Sequence, residues 1–352
     1  MSVEKVHQLK KVYLELTNRC NLNCTMCYRK TWHQQEMDMA EAILEKCIQQ
    51  IKSMPTIKEI VLGGIGEPTF SEEVQKVMHA LKDYHLTLTT NGTIMHESMR
   101  ETIADTVNHM IISVDGTPDV FYSIRKFSLE QIIENLKALN EFKQKRKYKT
   151  PTVSFQMVLS DMNKDSVFQI IDLAAVHEVS GVIISNVLPM TIEDQKLALY
   201  TRYENKEIQA LFKKIQNHAF AKTVALQLPA YQLKTERRCR FIEDQATMIT
   251  VSGDVVPCYR FAHDGTEVVF ERHKSVCAYS FGNLSEKPLN EIWGSGRYAD
   301  FRMTVFNNHY PSCIDCDLAD GCDMVRNSEI DCYGNMPSCG DCLWARKLIY
   351  CV

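Results

Sequence analysis

The sequence predicts an α/β protein whose core is a parallel sheet covered by helices, followed by a smaller cysteine-rich unit. Apolar, strand-like runs alternate with helical patterns from residue 12 to about residue 190. Repeated strand–helix units of this kind produce a parallel sheet with its helices outside. Ten of the 14 cysteines lie from Cys239 onward. With 352 residues and an apolar fraction of 45%, the chain is long enough for one large and one smaller domain.

Six strands and six helices are predicted in the first part of the chain. The strands are residues 12–17, 59–63, 86–89, 110–114, 152–159 and 182–185. The helices lie near residues 36–53, 72–83, 97–105, 128–145, 164–177 and 204–218. Residues 190–238, with a strand-like run at 224–228, are expected to bridge two domains, 1–220 and 221–352. In folds of this kind the chemistry collects at the carboxyl ends of the strands.

Three cysteines, Cys20, Cys24 and Cys27, follow the first predicted strand at the spacing CxxxCxxC. On one short loop, three thiolates can hold a 4Fe-4S cluster and leave one iron without a protein ligand. The alternative is a structural zinc site, but zinc prefers four ligands. The nearest additional candidate is His33, which fits no familiar pair of zinc ligands.

This strand followed by CxxxCxxC resembles the signature of the radical S-adenosylmethionine (SAM) superfamily. The resemblance implies an open (β/α)6 partial barrel in which the amino and carboxylate groups of SAM occupy the open iron. It also implies that one electron from the reduced cluster cleaves the sulfonium of SAM. The resulting 5'-deoxyadenosyl radical would abstract a hydrogen atom from the substrate. Met26 stands where the family often has an aromatic residue, and its apolar side chain can still cover adenine.

A glycine-rich stretch, GGIGEP at residues 63–68, follows the second predicted strand. By itself it reads equally well as an ordinary βα turn, since glycines allow tight turns and a close approach of the backbone to a ligand. It resembles the GGEP motif that contacts the SAM amino group in the superfamily. The residues that the resemblance assigns to SAM here are Gly63, Gly64, Gly66 and Glu67.

Polar residues at later strand ends are further candidates for contacts with SAM. Ser113 and Asp115 follow the fourth strand, where the ribose lies in the related enzymes. Most polar groups at strand ends and turns are satisfied locally, which is the alternative for each of them. The additional residues assigned to SAM are Asn91, Ser113, Asn186 and Val187, with Gln156 and Ser160 as weaker candidates.

The C-terminal cysteines are spaced in an ordered way. Cys239-x13-Gly253-x4-Cys258 spans a predicted hairpin at residues 247–258, and Cys313-x2-Cys316-x5-Cys322 follows. The pattern is similar to the SPASM extension of radical SAM enzymes, which binds auxiliary 4Fe-4S clusters. The zinc alternative remains open, because the Cys-x2-Cys pairs at 313/316 and 339/342 also suit zinc.

The resemblance implies two auxiliary clusters and a grouping of their ligands. The next cysteine of the family pattern falls at Arg326, so Cys332 is the expected substitute. One cluster would take Cys239, Cys258 and Cys332, with Cys277 as a further candidate. The second would take Cys313, Cys316 and Cys322, with Cys342 or Cys339. Cys351 is expected to be free.

Composition excludes several classes of protein. The net charge of −4 gives no broad basic field for nucleic acid. No apolar run approaches the roughly 18 residues of a membrane span, and residues 1–11 lack the apolar segment of a signal peptide. We therefore expect a cytoplasmic protein whose cysteines bind metal and do not form disulfides.

The resemblance points to an enzyme that modifies a protein, a peptide or a cofactor precursor. Tyr259 follows the hairpin cysteine where sulfatase-maturing enzymes have an aspartate base, which argues against that branch. Residues 14–29 most resemble radical SAM maturases associated with tungsten-containing aldehyde oxidoreductases. The alternatives are a peptide-crosslinking radical SAM enzyme and a non-catalytic iron-sulfur or zinc protein. A low-potential donor such as ferredoxin or flavodoxin is expected, and the catalytic candidates are Asp115, Tyr122, Arg125 and Tyr259.

Overall fold

The computed structural model describes residues 8–32 and 34–350. His33 and Cys351 therefore lie outside the described residues. The strands are β1 (Lys11–Glu15), β2 (Glu59–Gly63), β3 (His85–Thr90), β4 (His109–Ser113), β5 (Thr152–Leu159), β6 (Gly181–Asn186), β7 (Ala225–Gln227), β8 (Ala246–Ile249), β9 (Asp254–Val256), β10 (Gly265–Val269), β11 (Arg272–Val276) and β12 (Gly282–Asn283).

The helices follow the strands in the order typical of βα units. They are α1 (Glu41–Ser53), α2 (Val74–Ala80), α3 (Glu97–Thr106), α4 (Pro118–Arg125), α5 (Leu129–Arg146), α6 (Val167–Val176), α7 (Lys206–Ala221), α8 (Arg240–Glu243), α9 (Leu289–Gly294) and α10 (Gly296–Phe306). None of the helices in the described residues is both long enough and apolar enough to cross a lipid bilayer.

One sheet of ten strands organises the molecule, in the order β12-β9-β8-β1-β2-β3-β4-β5-β6-β7. Strand β8 and strands β1 to β7 run parallel, whereas β9 and β12 are antiparallel additions at one edge. Strands β10 and β11 form a separate antiparallel pair. All five residues of β1 are buried, because β1 lies inside the sheet between β2 and β8.

The six predicted strands are β1 to β6, and the predicted hairpin is β8–β9. The structure extends the parallel sheet beyond them, since β7 pairs with β6 and β8 pairs with β1. Both added strands come from the part of the chain after residue 220. The domain boundary near residue 220 stays a prediction, although the sheet continues across it.

The local sequence explains how the helices are positioned behind the sheet. In α1, Leu44, Cys47 and Ile51 form the buried face, so Cys47 is a core residue. Helix α4 was not predicted. It begins with Pro118 in its first turn and ends at Lys126, which adopts a left-handed conformation. The predicted helix at 128–145 is α5, where the Ser128 side chain accepts a hydrogen bond from the Gln131 amide and satisfies a free donor of the first turn.

Candidate functional site

A cavity of about 350 Å³ opens at the carboxyl ends of the parallel strands. Most of the residues predicted to form a site line it, together with several that were not predicted. From the cluster and glycine-rich loops the lining residues are Cys20, Cys24, Met26, Cys27, Tyr28, Gly64, Ile65, Gly66 and Glu67. From later elements they are Thr89, Thr90, Asn91, Ser113, Arg125, Gln156, Val158, Ser185, Asn186, Leu188, Tyr259, Arg260, Trp344, Ile349 and Tyr350.

The loop that carries Cys20, Cys24 and Cys27 lies at one wall of this cavity. Burial raises the pKa of all three thiols, and the charges of neighbouring cysteines raise them further. The loop is fixed to the barrel by the Thr25 amide, which donates to the Ile124 carbonyl at 2.8 Å. Three thiols on one loop, with no fourth cysteine among the described residues that line the cavity, fit a 4Fe-4S cluster with an open iron.

His33, the additional candidate ligand of the zinc alternative, lies outside the described residues. Across residues 8–32 and 34–350, no three or more His, Cys, Asp or Glu side chains are arranged to hold a single metal ion. In a 4Fe-4S cluster each cysteine binds a different iron, so its ligands need not meet at one point. The three thiols fit such a cluster as a set of donors. The assignment of Cys20, Cys24 and Cys27 as its ligands stays a prediction.

The glycine-rich turn after β2 packs directly against the cluster loop. A Cβ atom on Gly66 would lie 2.2 Å from the Thr17 carbonyl oxygen and 2.6 Å from that of Arg19. The Glu67 amide donates to the Arg19 carbonyl at 2.8 Å. Gly66 is therefore required by the close approach of two backbones. Gly63 does not line the cavity, and its predicted contact with SAM is untested.

We predict that Gly66→Ala displaces this turn, because a Cβ cannot overlap a backbone carbonyl and the segment has to move. Overpacking of this kind costs about 1–3 kcal/mol, and the variant should show weaker SAM binding in equilibrium dialysis. Gly296→Ala is the matched control, since no atom lies within 4 Å of a Cβ at Gly296. Equal SAM affinity in both variants would contradict the packing argument.

Glu67 is held by the protein on all sides. Its carboxylate accepts hydrogen bonds from the Asn91 amide at 2.6 Å, the Thr90 hydroxyl at 2.7 Å, and the amide and hydroxyl of Thr69 at 3.1 and 2.6 Å. Burial nevertheless raises the pKa of Glu67. The carboxylate thus joins the glycine-rich turn to the end of β3. Its expected contact with the SAM amino group remains a prediction.

Asn91 also belongs to the frame around the cluster loop. Its side-chain nitrogen donates to Asn21 Oδ1 at 2.9 Å and lies 3.8 Å from Cys20 Sγ, while its oxygen accepts from the amide and hydroxyl of Thr93. Asn91 is therefore also satisfied by local hydrogen bonds, which was the alternative for each polar residue at a strand end. Asn91 contacts the cluster loop and lines the cavity at the same time.

An ion pair places one cation beside the second cysteine of the motif. Arg125 Nε donates to Asp115 Oδ2 at 2.6 Å, and its Nη1 lies 4.0 Å from Cys24 Sγ. Burial acts to lower the pKa of Arg125, but the charges of Asp115 and Cys24 outweigh it and raise the pKa. Asp115 is completely buried behind Arg125. Arg125 therefore remains a cation that faces the cavity.

Several predicted site residues do not line the cavity, among them Gly63, Asp115, Tyr122 and Val187. Tyr122 is 59% exposed on α4. Val187 is buried next to the cavity, and its amide donates to the Leu159 carbonyl at 2.9 Å. The roles predicted for these residues stay predictions.

Asn186 offers an acceptor to a ligand at the far side of the cavity. Its side-chain nitrogen donates to the carbonyls of Ala230 and Leu348 at 3.0 and 2.8 Å. Its Oδ1 is buried and has no partner among the described residues. Because a buried polar atom without a partner is costly, Oδ1 is suited to accept a hydrogen bond from a bound molecule.

The C-terminal segment closes this side of the cavity, which the sequence did not predict. Trp344, Ile349 and Tyr350 line it. The Tyr350 amide donates to Ser185 Oγ at 3.0 Å, and its hydroxyl donates to the Leu228 carbonyl at 2.9 Å. In the sequence these residues appear only as a tail that contains aromatic residues. Such a tail does not indicate a contact with β6.

A buried network around Glu15 joins three loops. Glu15 accepts from the Ile65 amide at 3.2 Å, from the Val251 amide at 3.1 Å, and from His263 Nε2 at 2.9 Å. The His263 ring stacks on Trp32 with centroids 4.2 Å apart. The end of β1 thereby fixes the glycine-rich turn, the β8–β9 turn and the segment after the cluster loop. The one sequence signal was an acidic residue inside an apolar strand.

Replacing Glu15 with glutamine puts an amide group where the carboxylate meets three donors, so at least one donor is left unpaired. We expect a loss of about 1–3 kcal/mol of stability and weaker SAM binding, measured by anaerobic thermal unfolding and by titration with SAM. Glu59→Gln is the control, because its ion pair with Lys11 is half exposed and worth less than ~1 kcal/mol. Equal melting temperatures for the two variants would contradict the prediction.

Four cysteines of the C-terminal part converge behind Tyr259: Cys239, Cys258, Cys339 and Cys342. Burial raises the pKa of each thiol. Charges within the set raise the pKa of Cys239, Cys258 and Cys339 further. Hydrogen bonds from the Arg238 amide to the Ala345 carbonyl at 2.8 Å and from Arg260 Nη1 to the Ser338 carbonyl at 3.1 Å join the segments that carry them. The four thiols therefore fit the ligand set of a cluster.

The remaining cysteines differ in their burial. Cys332 is exposed, and burial, Asp341 and Cys332 raise the pKa of Cys313 to about 12. The expected grouping of Cys332 with Cys239 and Cys258 stays a prediction. Burial raises the pKa of Cys277, and the charges of Glu329 and Asp264 raise it further. Cys316 is exposed and Cys322 is half-buried.

Comparison with known proteins gives two family matches and a relative of full length. Residues 14–174 match the radical SAM superfamily, and residues 239–317 match the SPASM iron-sulfur cluster-binding domain. The chain is 35% identical over 350 residues, 97% of each protein, to the tungsten-containing aldehyde ferredoxin oxidoreductase cofactor-modifying protein of Pyrococcus furiosus. It is 28% identical over 209 residues to a probable GTP 3',8-cyclase of Pyrococcus abyssi, covering 57% of this chain and 65% of that protein.

Solved structures share the fold at low sequence identity. SuiB of Streptococcus suis, bound to the precursor peptide SuiA, has a TM-score of 0.62 at 13% identity over 92% of this chain and 73% of SuiB. The structure of anSMEcpe with bound AdoMet has a TM-score of 0.62 at 15% identity over 93% of this chain and 90% of that protein. The predicted fold class, a partial (β/α)6 barrel followed by a SPASM-type domain, is confirmed.

Proposed function

Since the chain belongs to the radical SAM superfamily and carries the SPASM domain, we propose that it is a maturase that modifies the cofactor of a tungsten-containing oxidoreductase. The family makes the chain an enzyme whose cofactors are 4Fe-4S clusters and SAM. The observation that carries the finer proposal is the 35% identity over 97% of both chains to a cofactor-modifying protein of this kind.

The residues that line the cavity would have separate roles in binding the cluster and SAM. When bound and reduced, the cluster supplies the electron that cleaves SAM to a 5'-deoxyadenosyl radical. Cys20, Cys24 and Cys27 would hold that cluster. Arg125, kept cationic by Asp115 and 4.0 Å from Cys24, would attract the carboxylate of SAM.

The far side of the cavity would orient the adenosyl group and the substrate. Asn186 offers an acceptor without a partner, and Ser113 and Gln156 offer polar groups at the ends of β4 and β5. Tyr259 and Trp344 come from the C-terminal part and exclude water from the reacting centre. Tyr259 is accordingly the pocket candidate best placed to contact a substrate.

The partners follow from this proposal. A protein that carries the tungsten cofactor would deliver it, and a low-potential ferredoxin or flavodoxin would supply the electron. A peptide-crosslinking enzyme and a non-catalytic iron-sulfur or zinc protein are the competing functions, and the experiment below separates them.

The test is an anaerobic reaction of the reconstituted, reduced protein with SAM. One arm adds the tungsten oxidoreductase with its cofactor, one adds a peptide encoded beside this chain, and one adds neither. We expect 5'-deoxyadenosine and a mass change of the cofactor only in the first arm. A mass change of the peptide alone would establish the crosslinking function, and no 5'-deoxyadenosine in any arm would overturn the enzymatic proposal.

A further inference from the structure

We propose that one auxiliary cluster of this chain is held by Cys239, Cys258, Cys339 and Cys342, which we call the inner set. The pattern of the family instead puts the final cysteine of the domain with Cys313, Cys316 and Cys322. The inference rests on the presence of auxiliary clusters and does not depend on which substrate the enzyme modifies.

Hydrogen bonds to backbone carbonyls bring the three segments of the inner set together. The Arg238 amide donates to the Ala345 carbonyl at 2.8 Å, which joins the segment of Cys239 to that of Cys342. Arg260 Nη1 donates to the Ser338 carbonyl at 3.1 Å, which joins the segment of Cys258 to that of Cys339. The Cys342 amide donates to the Cys339 carbonyl at 3.2 Å, so these two thiols share one turn.

The turn at 339–342 also separates the inner set from Cys313. The Cys313 amide donates to the Gly340 carbonyl at 3.1 Å. A Cβ on Gly340 would lie 2.5 Å from Cys313 Sγ, so only glycine lets the turn pass this closely. Gly340 thus faces Cys313 while its neighbours in sequence belong to the inner set.

An unused donor lies beside the inner set. The Tyr310 hydroxyl is buried without a partner among the described residues. Arg237, two residues before Cys239, donates from its Nη1 to the Tyr310 carbonyl at 2.7 Å. Hydrogen bonds to cluster sulfurs are a principal way in which proteins tune a cluster's potential, so donors of this kind suit a cluster at the inner set.

Two consequences follow from four protein thiolates at one cluster. Every iron has a protein ligand, so no iron is left for a substrate, and the inner cluster serves electron transfer. The cysteines that remain for the second cluster are Cys313, Cys316, Cys322 and Cys332, while Cys277 belongs to neither.

The test uses the full chain with Cys20, Cys24 and Cys27 replaced by alanine, so that only auxiliary clusters contribute to the signal. In this background Cys239→Ser, Cys342→Ser, Cys332→Ser and Cys277→Ser are compared by iron, sulfide and zinc content and by the EPR spectrum after reduction. We expect Cys342→Ser to lose the same EPR signal as Cys239→Ser, together with about four irons. Cys332→Ser should lose the other signal, and Cys277→Ser should keep both.

Loss of the same signal in Cys239→Ser and Cys332→Ser would overturn the assignment, as would zinc in place of iron. A serine variant can misfold, so Tyr310→Phe gives a second measurement with all thiols intact. It should lower the midpoint potential of the cluster at the inner set and leave that of the second cluster unchanged. An unchanged potential of the first cluster, or a shift of the second cluster alone, would count against the inner set. Formation of 5'-deoxyadenosine by the otherwise wild-type chain tests the proposed function separately.

Discussion

Replacing Cys24 with alanine is expected to reduce 5'-deoxyadenosine formation to the level of a reaction without enzyme. The variant leaves two thiols on the loop, too few to hold a cluster that already depends on three. It also removes the thiol beside Arg125, whose pKa Cys24 helps to raise. The measurement is chromatographic detection of 5'-deoxyadenosine under reducing conditions, together with the change in the EPR spectrum when SAM is added.

The matched control is Cys47→Ala, which removes a thiol of the same size from the core behind α1. Cys47 is fully buried and far from the cavity, so the cost is a small void of about 1 kcal/mol. SAM cleavage should remain close to wild type. Turnover that survives in Cys24→Ala, or iron content that is the same in both variants, would contradict the role of the CxxxCxxC loop.

The strands of the barrel could be predicted because buried parallel strands are continuously apolar. Strands β2, β4 and β6 have this character, whereas β3 was recognised by its alternation of leucine and threonine, in which every second residue is buried. The β10–β11 pair was missed for the opposite reason. It contains buried charges, Glu267 and Lys274, which are satisfied by Arg260 and Asp341, and charged residues in a short run do not indicate a buried strand.

The position of the site was predictable, but its closure was not. Parallel strands place their carboxyl ends on one edge, so the ends of β1 to β6 had to meet. Asn186, at the end of β6, was found in this way. The contacts of Glu15 with His263 and of Ser185 with Tyr350 join residues 248 and 165 positions apart, and no local pattern encodes such pairs. The spacing of cysteines in the sequence constrains only those on one loop. It therefore could not predict that Cys339 and Cys342 lie near Cys239.

A second large effect is expected at the ion pair between Arg260 and Glu267, which lies between the cavity and the inner set. Both side chains are 1% exposed, and Arg260 Nε donates to both carboxylate oxygens at 3.2 Å. Burial acts to lower the pKa of Arg260, but Glu267 outweighs it and holds the pKa well above its usual value. Arg260→Met would leave the carboxylate of Glu267 buried without a cation.

Removal of one partner from such a pair costs about 3–5 kcal/mol, so Arg260→Met should unfold at a much lower urea concentration in anaerobic denaturation of the cluster-containing protein. Adding Glu267→Gln removes the uncompensated charge and should recover part of the loss, because the double replacement no longer buries an unpaired ion. Arg238→Ala is the control, since its pairs with Glu236 and Glu243 are largely exposed and contribute less than ~1 kcal/mol. If the double variant were no more stable than Arg260→Met, the loss would come from packing or from the Ser338 contact, and the electrostatic explanation would fail.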